Sequence, residues 1–159
     1  MPTLFLLIGL PASGKTTLAR ELEREHAALR LTPDEWMLPL FGAGESGDRR
    51  WVLESELLWG VAARALTLGV NVVLDYGLWS RSERDEFRAR GAALGARVEL
   101  RVLDLPLGEL WRRLEARNRE LPPSTFQISR EELEAFSALF ERPTAEELAA
   151  GALADPPPE

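Results

Sequence analysis

A chain of 159 residues with a net charge of −7 and a 45% apolar fraction has the length and composition of one globular domain with a sizeable core. The absence of cysteine excludes disulfides, thiolate nucleophiles and cysteine metal sites and fits a cytoplasmic location, while a single histidine, His26, excludes a multi-histidine zinc site and gives a Ser-His-Asp triad no support. The acidic balance disfavours a protein that wraps nucleic acid, and no apolar run is long enough for a membrane helix.

The first element is a continuous apolar run, Leu4-Phe5-Leu6-Leu7-Ile8, expected as a parallel strand over 3–8 buried on both faces. It has no basic leader and no small-residue cleavage site, so a strand is expected here and not a signal peptide. Next comes GLPASGKTT, residues 9–17, which holds Lys15, the only lysine in the chain. Gly9, Gly14, Lys15 and Thr16 fit G-x-x-x-x-G-K-[ST], the phosphate-binding loop. The context agrees, because Leu18, Ala19 and Leu22 continue at helical spacing beside the polar Glu21, Glu23, Arg24 and Glu25. Such a loop lets backbone approach a ligand at its glycines and turns successive N–H groups onto phosphate oxygens. The following helix adds its positive end. Lys15 is a compact charge on a flexible stem, suited to β- and γ-phosphates where a planar Arg fork is not. The loop residues Gly9, Pro11, Ala12, Ser13, Gly14, Lys15, Thr16 and Thr17 are the expected nucleotide contacts. The Thr16 hydroxyl is the expected Mg²⁺ ligand.

The first helix is expected to run to about residue 28, followed by a short strand at 29–31. Thr32-Pro33-Asp34-Glu35 then reads as a helix start, with Thr32 as N-cap, Pro33 at N1 and Glu35 closing a capping box. Residues 42–48 carry three glycines and read as a flexible loop. A long helix is expected over 49–68. A strand follows at 70–74, ending on Asp75, and Ser80 opens a helix to about residue 94. Residues 97–103 alternate as a half-exposed strand. A helix over 107–118 meets the Pro-rich break at 121–125, and Ser129 with Glu132 caps the last substantial helix. Residues 151–159 read as a Pro-rich tail beyond a single domain spanning 1–150. The alternation of helix and strand predicts an α/β fold with a mainly parallel sheet.

The P-loop with "TPDEW", "VVLDYGLWSRSERD" and "LWRRLEARN" resembles the AAA_33-type ATP-binding proteins. These are small P-loop kinases similar to the chloramphenicol phosphotransferase, zeta-toxin and polynucleotide 5′-kinase group. The resemblance runs from residue 4 to about 148. It implies a P-loop NTPase, nucleotide-kinase-like three-layer sandwich, with a sheet ordered 2-3-1-4 and a helical lid. It also implies ATP with Mg²⁺ and phosphoryl transfer to a hydroxyl. Relatives often add a fifth strand, for which this C-terminus offers no apolar run, so a four-stranded core is expected.

Ligands of open α/β sheets bind beyond the carboxyl ends of the strands, where Asp34 and Asp75 both fall. By resemblance Asp34 is the catalytic base, with Glu35 as the fallback. Asp75 stands where a Walker-B acid does, holding Mg²⁺ through water or bonding the substrate. Arg113 and Arg117 share a helix face. By resemblance Arg113 stacks on adenine, Arg117 reaches the phosphates as a catalytic cation, and 118–128 closes as the lid. Trp36, Tyr76 and Trp79 are candidates for a pocket mouth or for core, and Trp51, Trp59 and Trp111 are expected in the core. Arg49 and Arg50 follow the glycine loop and read as helix-start surface, with contact to an anionic substrate as the alternative. The expected activity is an ATP-dependent kinase acting on a small-molecule hydroxyl. The alternatives are a polynucleotide or RNA 5′-hydroxyl kinase, and a nucleotide-dependent switch using loop 42–48 on a protein partner.

Overall fold

The computed structural model describes residues 1–42, 48–122 and 126–152, with side chains to residue 149. The expected loop at 42–48 and tail at 151–159 therefore lie almost wholly outside the described residues, as do positions 123–125 of the expected lid.

Four strands form one parallel sheet. They are β1 (Thr3–Gly9), β2 (Leu29–Leu31), β3 (Val72–Gly77) and β4 (Arg97–Leu103). Their spatial order is β2-β3-β1-β4, the order that the resemblance implied. All three neighbouring pairs are parallel. β1 is central, and its alternate side chains feed opposite layers. Leu4, Leu6 and Ile8 enter the larger core, while Phe5 and Leu7 face a smaller one. Helix α1 (Lys15–Glu25) covers the smaller side with Ala19 and Leu22. The larger core takes Phe87 from α5 (Arg81–Ala93), Leu110 and Leu114 from α6 (Leu107–Glu120), and Leu133 from α7 (Arg130–Leu139). The result is the expected three-layer P-loop NTPase sandwich.

Several elements depart from expectation. Helix α1 stops at Glu25, three residues early, with His26 exposed beyond it. Helix α2 (Pro33–Phe41) does start after Thr32, yet Thr32 makes no side-chain cap bond. Its hydroxyl is engaged by Arg30 and Asp75 instead, and Glu35 pairs with Arg30, so the capping box does not form. The long helix over 49–68 is three consecutive pieces. These are α3 (Asp48–Val52), a π-helical segment (Leu53–Leu58) and α4 (Trp59–Thr67).

Strand β3 starts two residues late and runs through Asp75 to Gly77, so Asp75 lies inside it. Leu6 pairs with Leu74 but Ile8 pairs with Gly77, so β3 carries one extra residue at Asp75–Tyr76. A bulge of this kind re-aims side chains at a strand end. A further helix, α8 (Ala145–Ala152), follows α7, where sequence reading expected only the approach to a tail. Among the described residues there is no fifth strand and no helix long and apolar enough to cross a membrane.

Candidate functional site: a phosphate loop and its cavity

β1 ends at Gly9, where there is no room for a side chain. A Cβ there would stand 2.6 Å from Ser13 Oγ and 2.8 Å from the Leu103 carbonyl oxygen. The chain then turns through Ala12 at φ 64° and Gly14 at φ 97°. These left-handed conformations wind the loop back onto the start of α1. Lys15 donates from Nζ to the Leu10 carbonyl at 3.2 Å. Burial lowers the proton affinity of its ammonium, and the nearby Asp75 and Asp34 oppose that effect.

Behind Lys15, Asp75 Oδ2 accepts hydrogen bonds from Thr16 Oγ1 at 2.8 Å and Thr32 Oγ1 at 3.0 Å. Arg30 Nη1 donates to the same Thr32 oxygen at 2.7 Å. Three elements thereby hold one carboxylate. Its other oxygen, Oδ1, is buried with no hydrogen-bond partner. Buried polar atoms are rarely left so. One hydroxyl and one carboxylate with a spare oxygen suit Mg²⁺, which uses few protein ligands and completes its shell with waters and substrate phosphates. Among the described residues no cluster of three or more His, Asp or Glu side chains offers a metal cage of its own.

The loop opens on a cavity of about 1140 Å³. Pro11, Ala12, Gly14, Lys15, Thr16 and Thr17 line one end, and Asp34, Asp75, Arg113 and Arg117 also reach it. Gly9 and Ser13 are not among its lining residues, and Ser13 Oγ is buried with no hydrogen-bond partner. Arg113 sits over the loop, with Nη1 4.0 Å from where a Gly14 Cβ would stand. Its Nε is bonded to Glu109 at 3.0 Å. Arg117 is half-buried and its Nε has no partner. Desolvation lowers its proton affinity, and the charge of Asp34 opposes this. Asn118 clamps both backbone groups of Ile128, donating at 2.7 Å and accepting at 3.1 Å. That clamp fixes the base of the expected lid segment.

Three of the expectations, for Arg50, Trp36 and Trp51, are corrected by the structure. Arg50 is not surface. It donates to Asp34 Oδ1 at 2.8 Å and to Glu54 Oε1 at 3.1 Å, and it lines the cavity. The i,i+4 spacing of Arg50 and Glu54 was the available signal. Glu35, the fallback base, also lines the cavity and is paired to Arg30 at 2.8 Å. Trp36 is 41% exposed and away from the cavity, which Tyr76 and Trp79 do line. Trp51 is also exposed, although it meets Phe87 edge-on, whereas Trp59 and Trp111 are partly buried against the core. Glu54, Glu83, Phe126 and Phe136 line the cavity and were not singled out in the sequence.

A family model, AAA_33, described as an AAA domain, matches residues 4–143. The chain belongs to the AAA_33 family. No curated protein matches it. Among solved structures, two of the Pnkp1/Rnl/Hen1 complex resemble it, one of them described as an RNA repair complex. They align at TM-scores of 0.64 and 0.72 with 26% and 24% identity, covering 70% and 95% of this chain. They cover 38% and 45% of the matched chains, so this AAA_33 chain spans less than half their length. Chaetomium thermophilum Kti12 in complex with ADP-AlF3 aligns at a TM-score of 0.69 and 19% identity, over 90% of this chain and 82% of that one. Mycobacterium tuberculosis APS kinase CysC, in complex with AMPPNP and APS, aligns at 0.61 and 23%, over 75% and 74%. These likenesses establish the AAA_33 chain as a P-loop, nucleotide-kinase-like fold.

Proposed function

We propose that this protein is an ATP-dependent kinase that transfers the γ-phosphate to a hydroxyl of a small molecule, within a single domain spanning residues 1–150. One observation carries the reading: Asp34 opens onto the same cavity as the phosphate loop and Lys15. A carboxylate facing a phosphate cradle is what proton removal from an attacking hydroxyl requires. Kinases among the structural neighbours add support.

In this reading the backbone N–H groups of residues 9–17 and the N-terminus of α1 bind the phosphates. Lys15 follows the β- and γ-phosphates. Thr16 and Asp75 hold Mg²⁺, which supplies charge neutralisation at the transferring phosphoryl group. Arg50 orients the Asp34 carboxylate. As the acceptor oxygen attacks Pγ, Asp34 takes the hydroxyl proton. The new O–Pγ bond forms, the bridging O–Pγ bond breaks, and ADP leaves with its electron pair. Arg117, with an unengaged Nε, offsets charge on the moving group. Arg113 lies against the adenine, and 118–128 serves as the lid that excludes water.

An RNA 5′-hydroxyl acceptor is the second reading, favoured by the likeness to the RNA repair complex. The test is transfer from γ-labelled ATP into small-molecule and nucleic-acid fractions of a cell extract. The prediction is label on the small-molecule fraction, reduced ~10²–10⁴-fold by Asp34→Asn. Unchanged transfer in that variant excludes Asp34 as the base.

A further inference from the structure

The cavity that the phosphate loop opens on carries several acids besides Asp75. Asp34, Glu54 and Glu83 all line it. Arg50 is the cation bonded to two of them. Glu83 accepts from Ser80 Oγ at 3.0 Å and has no ion pair among the described residues. Lys15 and Arg117 also act on the charge of Asp34, which leaves Glu54 sharing Arg50 and Glu83 without a bonded cation among the described residues.

Glu54 stands there at a cost, and the fold is arranged to keep it. The π-helical segment buries Leu53, Glu54 and Ser55 in succession, which a regular α-helix on a protein surface does not do. Widened turns of this kind loosen main-chain carbonyls and recur at functional sites. Here side chains take those carbonyls: Tyr76 Oη donates to Glu54 O at 2.9 Å, and Arg90 Nη1 to Ser55 O at 2.7 Å. The whole Glu54 residue is only 7% exposed. One carboxylate oxygen is bonded to Arg50, and the other makes no hydrogen bond among the described residues. Tyr76 and Trp79 supply aromatic surface to the same cavity.

Carboxylates beside aromatic faces are the chemistry that receives ammonium groups. An anionic group placed at Glu54 and Glu83 meets the opposite situation, since the one cation bonded there, Arg50, is already shared with Asp34. The net charge of −7 likewise draws cations toward the molecule.

We propose that the acceptor is a small alcohol bearing a protonated amine, with the ammonium received by Glu54 and Glu83 beside Tyr76 and Trp79 and the hydroxyl presented to Asp34. This rests on the kinase reading. The transferred group and proton follow the step given above, and the amine takes no part in bond making.

The experiment divides the small-molecule fraction of a cell extract by ion exchange into cationic, neutral and anionic pools. Each is incubated with the protein, Mg²⁺ and γ-labelled ATP, beside a 5′-hydroxyl oligoribonucleotide. Portions of the cationic pool are first N-acetylated, which removes the charge, or reductively methylated, which keeps it. The expected result is label in the cationic pool, retained after methylation and lost after acetylation. Glu54→Gln and Glu83→Gln should each raise KM for the labelled acceptor at least about tenfold, the value of one charge-assisted contact. Label confined to the neutral or anionic pools, or to the oligonucleotide, overturns the inference and leaves the kinase reading standing. Label that survives acetylation overturns it as well. Label found only as inorganic phosphate in every pool overturns the kinase reading itself.

Discussion

Glu54 and its neighbours give the clearest measurable consequence at the scale of one residue. Burial pushes its carboxyl up to about 7 from an ordinary value of 4.5; Arg50 opposes the rise, and Glu83 and Asp34 reinforce it. The folded chain therefore holds a proton that the unfolded chain gives up. An acid raised in this way stabilises the fold fully below the unfolded value and loses that contribution as pH rises through the folded one. The loss falls between pH 4.5 and about 7 and amounts to about 3 kcal/mol. Glu54→Gln removes the titrating group and keeps the shape. Urea denaturation at a series of pH values should show the wild-type stability falling across that window and the variant nearly flat there. Equal slopes in the two proteins exclude Glu54 as the source. The same residue shows why this half of the site was hard to read. A lone Glu in an acidic chain carries no sequence signal of burial, and Arg50 beside Arg49 looks like solvated surface. The phosphate loop is the opposite case. Its chemistry is local, so Gly9, Gly14, Lys15 and Thr16 are recognisable without knowing what surrounds them.

Legibility at the scale of elements follows the same division between local and tertiary causes. Strands β1, β2 and β4 are recognisable from their apolar runs and alternation. The Ser129 capping box forms as its spacing predicts, with both reciprocal bonds present. The Thr32 box fails because Asp75, forty-three residues away, competes for the hydroxyl. The extra residue in β3 and the π-helical segment have no pattern of their own in the sequence, since both answer to what packs around them. Two helical glycines test how far tertiary packing overrides propensity. Gly60 lies in α4, and a Cβ there meets nothing within 4 Å. Gly91 lies in α5, where a Cβ would stand 2.7 Å from Leu4 Cδ2 and 3.1 Å from Val98 Cγ2. Gly60→Ala should stabilise by about 0.5–1 kcal/mol through helix propensity and the less flexible unfolded chain. Gly91→Ala gains the same term, but Leu4 and Val98 are fully packed, and overpacking of a core costs ~1–3 kcal/mol. Thermal denaturation should therefore move the two variants in opposite directions. A gain for Gly91→Ala would mean that α5 can slide away from the sheet at little cost.

At the scale of the whole molecule, the C-terminal part of the chain returns to brace the loop that carries the cavity wall. Glu141 accepts from the Arg81 N–H at 3.0 Å and donates its own N–H to the Trp79 carbonyl at 2.8 Å. Arg84 of α5 and Glu147 of α8 then form an ion pair, with each residue 1% exposed. Arg84 Nε donates to Glu147 Oε1 at 2.6 Å and Nη2 donates to Oε2 at 3.3 Å. Arg84 Nη1 also donates to the carbonyls of Leu78 and Trp79, at 2.9 and 3.1 Å. Leu78 and Trp79 both line the cavity, so one guanidinium joins α8 to the site wall. A pair this buried pays a large desolvation cost, and its net value against a well-packed apolar pair is small or negative. Breaking it is another matter, because the remaining charge has no water to turn to. Glu147→Gln should cost about 3–5 kcal/mol in chemical denaturation. Replacing both, as Arg84→Met with Glu147→Leu, should recover most of that loss, although Leu78 and Trp79 lose a donor to their carbonyls. If Glu147→Gln costs less than about 1 kcal/mol, the range of an exposed pair, then α8 yields enough for water to reach Arg84. If both variants lose stability equally, the bonds to the Leu78 and Trp79 carbonyls carry the effect, and the brace on the cavity wall outweighs the ion pair that anchors it.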